Sequence, residues 1–294
     1  MVMPLVSVGL PVYNGVERIE AVVRSVLGQD HADLELVISD NASTDGTEDL
    51  CRSLAAEDSR IVYHRNPVNV GLLNNFVGAL RLGRGEFFRW VGDDDWLAPN
   101  CVSRGLDVFA ADPGLMLVTS QVDYTAPDGV TSTMPYDGTA FRSDDPVIRL
   151  TEMLRLLNES HLIIDPLYGM VRREPVARIE RRNMLREDEV YATKLALAGR
   201  WGHVPEVLAK RNWKHESPSI LARRLDVPKW QAHFATTLQC REMARWVQAS
   251  PDLSEDQRRR ALLEIGKMYA RRQQIVVERR ARKLVRFARD LVPR

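Results

Sequence analysis

Cysteine is scarce in this sequence and occurs in no metal-binding or disulfide pattern. The three cysteines, Cys51, Cys101 and Cys240, are odd in number and far apart along the chain. Zinc sites and disulfide frameworks need paired cysteines at characteristic spacings. The pattern therefore argues against both kinds of site and favours a reducing compartment.

Long hydrophobic runs are also missing. No window approaches the roughly 18 apolar residues that a membrane-spanning helix needs. The opening residues, MVMPLVSVGLPVYNG, contain no basic segment, and their apolar stretch is shorter than that of a signal peptide. We therefore expect a cytoplasmic protein, with a peripheral position at the inner membrane face as the alternative.

Glycine-rich phosphate-binding loops are absent as well. The sequence contains neither a P-loop nor a GxGxxG motif, which are the common ways of cradling phosphates with backbone amides. If the protein binds a nucleotide, other groups have to neutralise the phosphate charge.

Charge is abundant but unevenly distributed. The net charge is +1, yet the segment from Arg258 to Arg294 holds 13 Lys/Arg and 3 Asp/Glu, so the preceding residues are acidic. Apolar residues recur at helical spacing in this basic segment. We expect residues 226–294 to be helical and to pack on the rest of the protein, form a homodimer contact or lie on an anionic membrane surface. Nucleic-acid binding is not expected, because no recognised module is present.

Residues 5–125 alternate between strand-like and helix-like patterns. This alternation predicts an α/β fold with a mostly parallel, Rossmann-like sheet and helices on both faces. Strands are predicted at Leu5–Tyr13, Leu34–Ser39, Ile61–His64, Phe87–Val91 and Leu115–Ser120, and helices at Val16–Leu27, Thr47–Ala56, Leu72–Leu82 and Cys101–Ala111. In such sheets, ligands bind at the carboxyl ends of the strands.

The second half begins with a loop, residues 126–145, which is rich in Gly, Pro, Ser, Thr and Asp. Further elements are predicted as a helix at 147–158, a strand near Leu167–Arg172, helices at 173–181 and 187–199, and a strand at Val204–Lys214. The predicted regions are therefore residues 1–125, 126–225 and 226–294.

Three consecutive aspartates, Asp93, Asp94 and Asp95, follow a strand of buried character in FFRWVGDDDWLAP. Adjacent carboxylates repel one another, and partial burial disfavours their charged forms further. A solvated turn relieves this repulsion, and so does a bound divalent cation. We favour the cation, since oxygen ligands at a strand end suit Mg²⁺ or Mn²⁺.

Two other strand ends carry candidate nucleotide-binding residues. Asp40 ends the second predicted strand, and its carboxylate can accept the imide N–H of a uracil or thymine; the following DNASTDGT also has the composition of a capped turn. Pro11, Tyr13 and Asn14 lie at the first strand–helix corner, where Tyr13 can flank a base or ribose. A plain turn is the alternative for this corner.

These stretches, in this order, resemble a known family. VSVGLPVYNG, LELVISDNASTDGT, NVGLLNNF leading into GEFFRWVGDDDWLAP, and LREDEVYATKLALAGRWGHVPEVLAK are similar to family 2 glycosyltransferases with the GT-A fold, over about residues 5–215. The resemblance implies transfer of one sugar from a UDP- or TDP-sugar to an acceptor hydroxyl, with inversion, in glycan, cell-surface polysaccharide or glycosylated natural-product biosynthesis. It makes residues 1–125 the donor half and residues 126–225 the acceptor half. The acceptor is a glycan, a lipid-linked molecule or a small molecule.

The resemblance also assigns roles to individual residues. Asp94 is the direct ligand of Mg²⁺ or Mn²⁺, Asp95 lies beside the metal or donor sugar, and His215 contacts the diphosphate or metal, with a surface histidine as the alternative. The nucleotide-binding residues are Pro11, Tyr13, Asn14, Asp40, Asn69, Gly71, Asn75 and Asp93. The first aspartate of the family's metal-binding motif is replaced by Gly92.

The catalytic pair implied by the resemblance is Glu187-Asp188, with Asp188 as the base. Acidic residues at this position can instead stabilise the first turn of a helix. Leu197 replaces the glutamine of the processive relatives' motif, which favours one sugar per encounter. Two alternative functions stay open: a sugar-phosphate nucleotidyltransferase, which usually begins with a Gly-rich basic loop, and a non-catalytic nucleotide-sugar-binding module, which needs no base.

Overall fold

One mixed sheet organises the protein. The computed structural model describes residues 5–160, 162–213 and 218–290, and nine strands of this part form the sheet in the order β3-β2-β1-β4-β8-β6-β9-β5, with β7 paired to β6. The strands are β1 (Val6–Val12), β2 (Leu34–Asp40), β3 (Ile61–Arg65), β4 (Phe87–Trp90), β5 (Trp96–Leu97), β6 (Leu115–Thr125), β7 (Thr131–Ser132), β8 (Met170–Arg172) and β9 (Arg200–Asn212).

The amino-terminal half of the sheet is parallel. β1 pairs in parallel with β2 and β4, and β2 pairs in parallel with β3. All residues of β1, β2 and β4 are buried, as expected for strands covered on both faces. In the second half, β8 runs antiparallel between β4 and β6, and β6 pairs in parallel with β9. The predicted α/β class with a mostly parallel sheet is confirmed.

Helices cover both faces. The helices are α1 (Ile19–Leu27), α2 (Thr47–Glu57), α3 (Leu72–Leu82), α4 (Cys101–Ala111), α5 (Pro146–Glu159), α6 (Arg173–Ala177), α7 (Glu187–Ala198), α8 (Pro218–Arg224), α9 (Gln231–Ala249) and α10 (Glu255–Asp290). Neighbouring residues of β4 enter two different cores: Phe87 packs with α1 and α4 residues, and Phe88 packs with α3, α5 and α7 residues. Because alternate side chains of a strand point to opposite faces, the two cores lie on opposite sides of the sheet.

The carboxy-terminal helices α9 and α10 pack on α5 and α7. In their shared core, Leu150 of α5 and Val190 of α7 pack with Cys240 and Met243 of α9 and Ile265 of α10. The predicted helical extension is therefore confirmed as far as the structure describes it, and the first half of α10 buries apolar residues against the rest of the protein. The division into regions 1–125, 126–225 and 226–294 stays a prediction. Within the described residues, no helix combines the length and apolar character needed to cross a membrane.

The strand predicted near Leu167–Arg172 begins only at Met170. Residues Pro166–Tyr168 form a 3₁₀ turn instead, with the Asp165 carboxylate accepting a hydrogen bond from the Leu167 amide at 3.2 Å. Proline at the first position of this turn favours the helical backbone. The helix predicted at 173–181 is also shorter and ends at Ala177.

Candidate functional site

The loops after β1 and β2 are joined by hydrogen bonds at the carboxyl edge of the sheet. The Asn14 amide donates to Ser43 Oγ at 2.9 Å, and Asn14 Oδ1 accepts from the Thr44 amide at 2.8 Å. Asn14 has a positive φ of 52°, a conformation that asparagine tolerates better than most residues. Tyr13 lies beside it with 48% of its surface exposed, and Pro11 is buried. The exposed ring of Tyr13 is thus available to a ligand at this edge.

Asp40 lies at the end of β2 and is completely buried. Its Oδ1 accepts from the Ser43 amide at 2.9 Å, and its Oδ2 accepts from the Tyr63 hydroxyl at 2.8 Å. Burial and the charge of Asp40 raise the pKa of Tyr63, so Tyr63 remains a hydrogen-bond donor at neutral pH. Both Asp40 oxygens thus already accept a hydrogen bond, and the side chain has no exposed surface, so a nucleobase can reach this carboxylate only by displacing one of these partners.

Asn69, Gly71 and Asn75 lie next to this carboxyl edge. Asn69 Oδ1 accepts from Asn41 Nδ2 at 2.8 Å and from the Gly71 amide at 2.9 Å. Asn75 is buried; its Nδ2 donates to the carbonyl oxygens of Ser39 and Val12. Its Oδ1 accepts from the Ser39 hydroxyl at 2.7 Å. Asn75 therefore holds the ends of β1 and β2 together.

Asp93 connects the aspartate run to the loop after β1. It forms an ion pair with Arg18, and its Oδ2 would lie 3.3 Å from a Cβ placed on Gly15. Arg18 also donates to the Asn14 carbonyl oxygen at 3.1 Å. Asp93 and its neighbour Asp94 are partly exposed. Arg18 was not predicted as a site residue, because only the fold brings it to Asp93, 75 positions away.

Asp95 is buried and held by two partners. It accepts from the Gly92 amide at 2.7 Å and from Arg211 Nε at 3.2 Å. Burial raises the pKa of Asp95, whereas the positive charge of Arg211 opposes that increase. A Cβ on Gly92 would lie 2.8 Å from Asp95 Oδ2. The absence of a side chain at Gly92 therefore allows the tight turn in which the Asp95 carboxylate accepts a hydrogen bond from the Gly92 amide.

Arg211 links the aspartate run to the segment before β8. Besides Asp95, it forms an ion pair with Asp165 and stacks over the Tyr168 ring, 3.3 Å from its centroid. Tyr124 donates to Asp165 at 3.3 Å. Neither Asp165 nor Arg211 was predicted to have a role in the site. The available signal was an arginine at the end of the last strand and an aspartate interrupting an apolar run.

The pair Glu187-Asp188 begins α7. Glu187 is buried, and both of its oxygens accept hydrogen bonds from Arg181, at 2.7 and 2.6 Å. Asp188 is solvent-accessible, yet protein atoms crowd around it. This crowding, together with the charges of Glu189, Glu187 and Asp165, raises the pKa of Asp188 to about 6. Asp165 therefore acts through its charge on Asp188 and is bound through Arg211 to Asp95.

The aspartate run fits the protein's share of a magnesium or manganese site. The described part of the chain contains no cluster of three or more His, Cys, Asp or Glu side chains that holds a metal ion by itself. Mg²⁺ is usually held by one or two carboxylates and by substrate phosphates. Asp94, partly exposed beside Asp93, suits that arrangement, whereas Asp95 is paired with Arg211. His215 lies outside the described residues.

Sequence comparison places the chain among sugar-transferring enzymes. The model of the family "Glycosyl transferase family 2" matches residues 7–179, more than half of the chain. Abequosyltransferase RfbV of Salmonella typhimurium is 37% identical over 102 residues, which are 34% of this chain and 31% of that protein. GalNAc(5)-diNAcBac-PP-undecaprenol beta-1,3-glucosyltransferase of Campylobacter jejuni is 34% identical over 102 residues, 34% of this chain and 33% of that protein. The chain thus spans about a third of the length of these curated relatives.

Solved structures share the fold. TarS 1–349 of S. aureus in complex with UDP has a TM-score of 0.62 at 18% identity, over 89% of this chain and 70% of that one. The mannosyltransferase PcManGT of Pyrobaculum calidifontis, in complex with GDP-Man and Mn²⁺, has a TM-score of 0.54 at 17% identity, over 92% of this chain and 87% of that one. At these identities the likeness establishes the architecture alone.

Proposed function

The chain belongs to glycosyl transferase family 2, and on that premise we propose that it transfers one sugar from a UDP- or TDP-sugar to an acceptor hydroxyl, with inversion. The observation that supports this proposal is the linkage of Asp188 to the aspartate run. The charge of Asp165 contributes to the raised pKa of Asp188, and Arg211 joins the same Asp165 to Asp95. A base and an acidic, diphosphate-facing loop are the two parts that this reaction needs.

Asp188 acts as the general base in this proposal. It takes the proton from the acceptor hydroxyl as that oxygen attacks the anomeric carbon, and the bond from this carbon to the diphosphate oxygen breaks. The nucleoside diphosphate leaves from the opposite face, which inverts the configuration. A raised pKa suits a base that works near neutral pH, because proton transfer becomes more favourable while the group stays mostly deprotonated. Glu187, fixed by Arg181, holds the start of α7.

The donor would bind along the edge formed by β1, β2 and β4. Asp40 would accept the imide N–H of the base, and Tyr13 would flank the base or ribose. Asn14, Asn69 and the backbone around Pro11 and Gly71 would shape this pocket. Asp93 would lie near the ribose. Asn75 would contribute by holding the ends of β1 and β2 together. TarS 1–349 of S. aureus has been solved in complex with UDP and with UDP-GlcNAc, which supports a nucleotide-sugar donor.

Asp94 would hold Mg²⁺ or Mn²⁺, with Asp95 and His215 beside it. When bound, the cation supplies Lewis-acid neutralisation of the diphosphate charge. Arg18, already paired with Asp93, places a positive charge at the same loop. This side chain offers the diphosphate a hydrogen-bond donor that no Gly-rich loop provides.

The proposed acceptors are a glycan, a lipid-linked molecule or a small molecule in glycan, polysaccharide or natural-product biosynthesis. The names of relatives such as the colanic acid biosynthesis glycosyl transferase WcaA of Escherichia coli support the polysaccharide setting. Peripheral membrane contact and homodimer formation through α10 are further proposals for the partner surface.

Donor turnover with water as the acceptor tests the reaction. We expect the protein with Mn²⁺ to release nucleoside diphosphate from at least one sugar in a panel of UDP-, TDP-, GDP- and ADP-sugars. The preferred donor should carry uracil or thymine, because the proposed acceptor for the imide N–H is the Asp40 carboxylate at the end of β2. Proton NMR of the first-formed sugar should show the anomer opposite to that of the donor. A product that retains the donor's configuration contradicts inversion, and a preference for GDP- or ADP-sugars contradicts the role of Asp40.

A further inference from the structure

The residue after the proposed base is held by three side chains. Glu189 accepts hydrogen bonds from Arg186 at 2.6 Å, from Gln239 of α9 at 2.9 Å and from Arg272 of α10 at 2.7 Å. Two of these donors come from the carboxy-terminal helices. The first turn of α7 is therefore attached to a part of the chain far from it in sequence.

Arg272 is the centre of this arrangement. Its Nε donates to Asn158 Oδ1 at 3.0 Å, and its Nη1 donates to Gln239 Oε1 at 2.7 Å. Its Nη2 donates to the Leu157 carbonyl oxygen at 3.0 Å as well as to Glu189. Only 11% of the side chain is exposed. One guanidinium thus joins the end of α5, the middle of α9 and the start of α7.

We propose that Arg272 is a positioning residue for the reaction and that it acts through Glu189 and Gln239 on the first turn of α7. We call Glu189, Gln239 and Arg272 the α7 brace. This inference rests on the proposed function, since it matters for catalysis only if Asp188 is the base. Asp188 and Glu189 are consecutive residues of one helical turn, so a displacement of Glu189 moves Asp188 with it.

The chemistry makes such a displacement costly. A base must lie within hydrogen-bond reach of the proton it removes, and a misplacement of about 1 Å lowers the rate by about 100-fold. The proposed donor-binding residues lie at the ends of β1, β2 and β4, and none of them belongs to the α7 brace. Loss of the α7 brace is therefore expected to lower turnover and to leave donor affinity unchanged.

The brace also controls charge near the base. The groups that act on Asp188 are Glu187 and Glu189 on its own helix, Asp165 from the segment before β8, and Arg181, which binds Glu187. The negative charge of Glu189 raises the pKa of Asp188, and Arg272 partly neutralises that charge. Removal of Arg272 should therefore shift the acidic limb of the activity profile to higher pH. Neutralisation of Glu189 should shift it to lower pH.

Four full-length variants test the α7 brace: Arg272→Met, Arg272→Lys, Glu189→Gln and the control Arg271→Met. Arg271 is exposed and makes no ion pair with any described residue. Arg271→Met therefore makes the same chemical change as Arg272→Met, on the same helix, without altering the brace. The readouts are kcat and KM for nucleoside diphosphate release from the donor that the panel identifies, the pH profile, and hydrogen–deuterium exchange of the α7 amides.

We expect Arg272→Met to lower kcat by about 10- to 100-fold with an unchanged donor KM and faster exchange in the first turn of α7. Arg272→Lys should restore part of the activity, because lysine keeps the charge but reaches fewer partners. Arg271→Met should behave as the wild type. Arg272→Met and Glu189→Gln should shift the acidic limb in opposite directions.

Wild-type kcat and pH profile in both Arg272→Met and Glu189→Gln would overturn the brace. If Arg272→Met does not fold, as judged by circular dichroism, Arg272→Lys and Glu189→Gln decide the question by the same readouts. Asp188→Asn in the same assay distinguishes failure of the brace proposal from failure of the proposed base. An inactive Asp188→Asn with unaffected brace variants rejects the brace alone, whereas a fully active Asp188→Asn rejects the proposed base.

Discussion

Asp188→Asn is expected to lower turnover by about 10²- to 10⁴-fold, the range of a lost general base, and to leave UDP affinity unchanged. Asparagine keeps the size of the side chain but accepts no proton from the acceptor hydroxyl. The proposed donor-binding residues at the ends of β1, β2 and β4 do not include Asp188, so the affinity for UDP has no reason to fall. Steady-state release of nucleoside diphosphate and calorimetric titration with UDP measure the two effects separately.

The wild-type pH profile checks the same assignment. Because the pKa of Asp188 is raised to about 6, the active deprotonated form should be lost as the pH falls through this value. The acidic limb of kcat/KM should therefore have its midpoint near pH 6, well above the midpoint of an ordinary aspartate. A limb near the ordinary aspartate pKa of 3.8 would contradict the environment described for Asp188.

Stability provides the control for this variant. A carboxyl group with a raised pKa in the folded state favours folding when it is protonated. That contribution is complete below the unfolded-state pKa and is lost as the pH rises through the folded-state value of about 6. Asp188→Asn should thus unfold at a temperature no lower than that of the wild type at neutral pH. Asp107→Asn, an exposed carboxylate of α4, is the matched control; turnover by Asp188→Asn equal to that of this control would show that the base is misassigned.

Asp94→Asn is expected to lower turnover by roughly 100- to 1,000-fold, the cost of losing one preorganised electrostatic group at the leaving group. In addition, Mn²⁺ should no longer strengthen UDP binding, because asparagine offers the cation no charged oxygen. Asp94 is partly exposed and follows Asp93, which adjoins the loop after β1, so the substitution opens no buried core. Titrating Mn²⁺ at a fixed donor concentration measures the effect.

Asp107→Asn again serves as the control for Asp94→Asn. Equal stimulation of Asp94→Asn and of the wild type by Mn²⁺ would remove Asp94 from the metal site. A loss of turnover that persists unchanged at every Mn²⁺ concentration, together with unchanged Mn²⁺-dependent UDP binding, would instead assign Asp94 to the donor sugar.

Long periodic elements and strand ends could be predicted from the sequence. The helices Leu72–Leu82 and Cys101–Ala111 have the predicted boundaries, because a full apolar stripe and a following glycine or aspartate define each of them locally. The approach of the loops that contain Asn14, Asp40 and Asp93 followed from the rule that parallel strands end at one edge.

Elements without a local pattern could not be predicted. β5 and β7 have two residues each, which is too short for an alternation to be visible. Their positions are determined by pairing with β9 and β6 instead. β8 was predicted, but with a start three residues too early. The β strand predicted to begin at Leu167 gave way to a 3₁₀ turn because Asp165 and Pro166 favour that turn more strongly than the apolar run favours a strand.

The ion pairs in the site could not be predicted from the sequence either. Arg211 reaches Asp95 across 116 positions and Asp165 across 46 positions, and no motif marks such a triad. Arg272 belongs to a basic helix whose charges are typical of a solvated face. Only the packing of α10 on α5 and α9 turns this arginine inward and makes it a candidate for positioning the base.

Calorimetric titration with UDP, TDP, GDP and ADP, each with and without Mn²⁺, distinguishes a metal-assisted diphosphate site from a solvated turn. We expect UDP or TDP to bind in the presence of Mn²⁺, binding to weaken strongly without the cation, and GDP and ADP to bind more weakly. Failure of every diphosphate to bind in the presence of Mn²⁺ would contradict this expectation, and would leave the aspartate run a solvated turn.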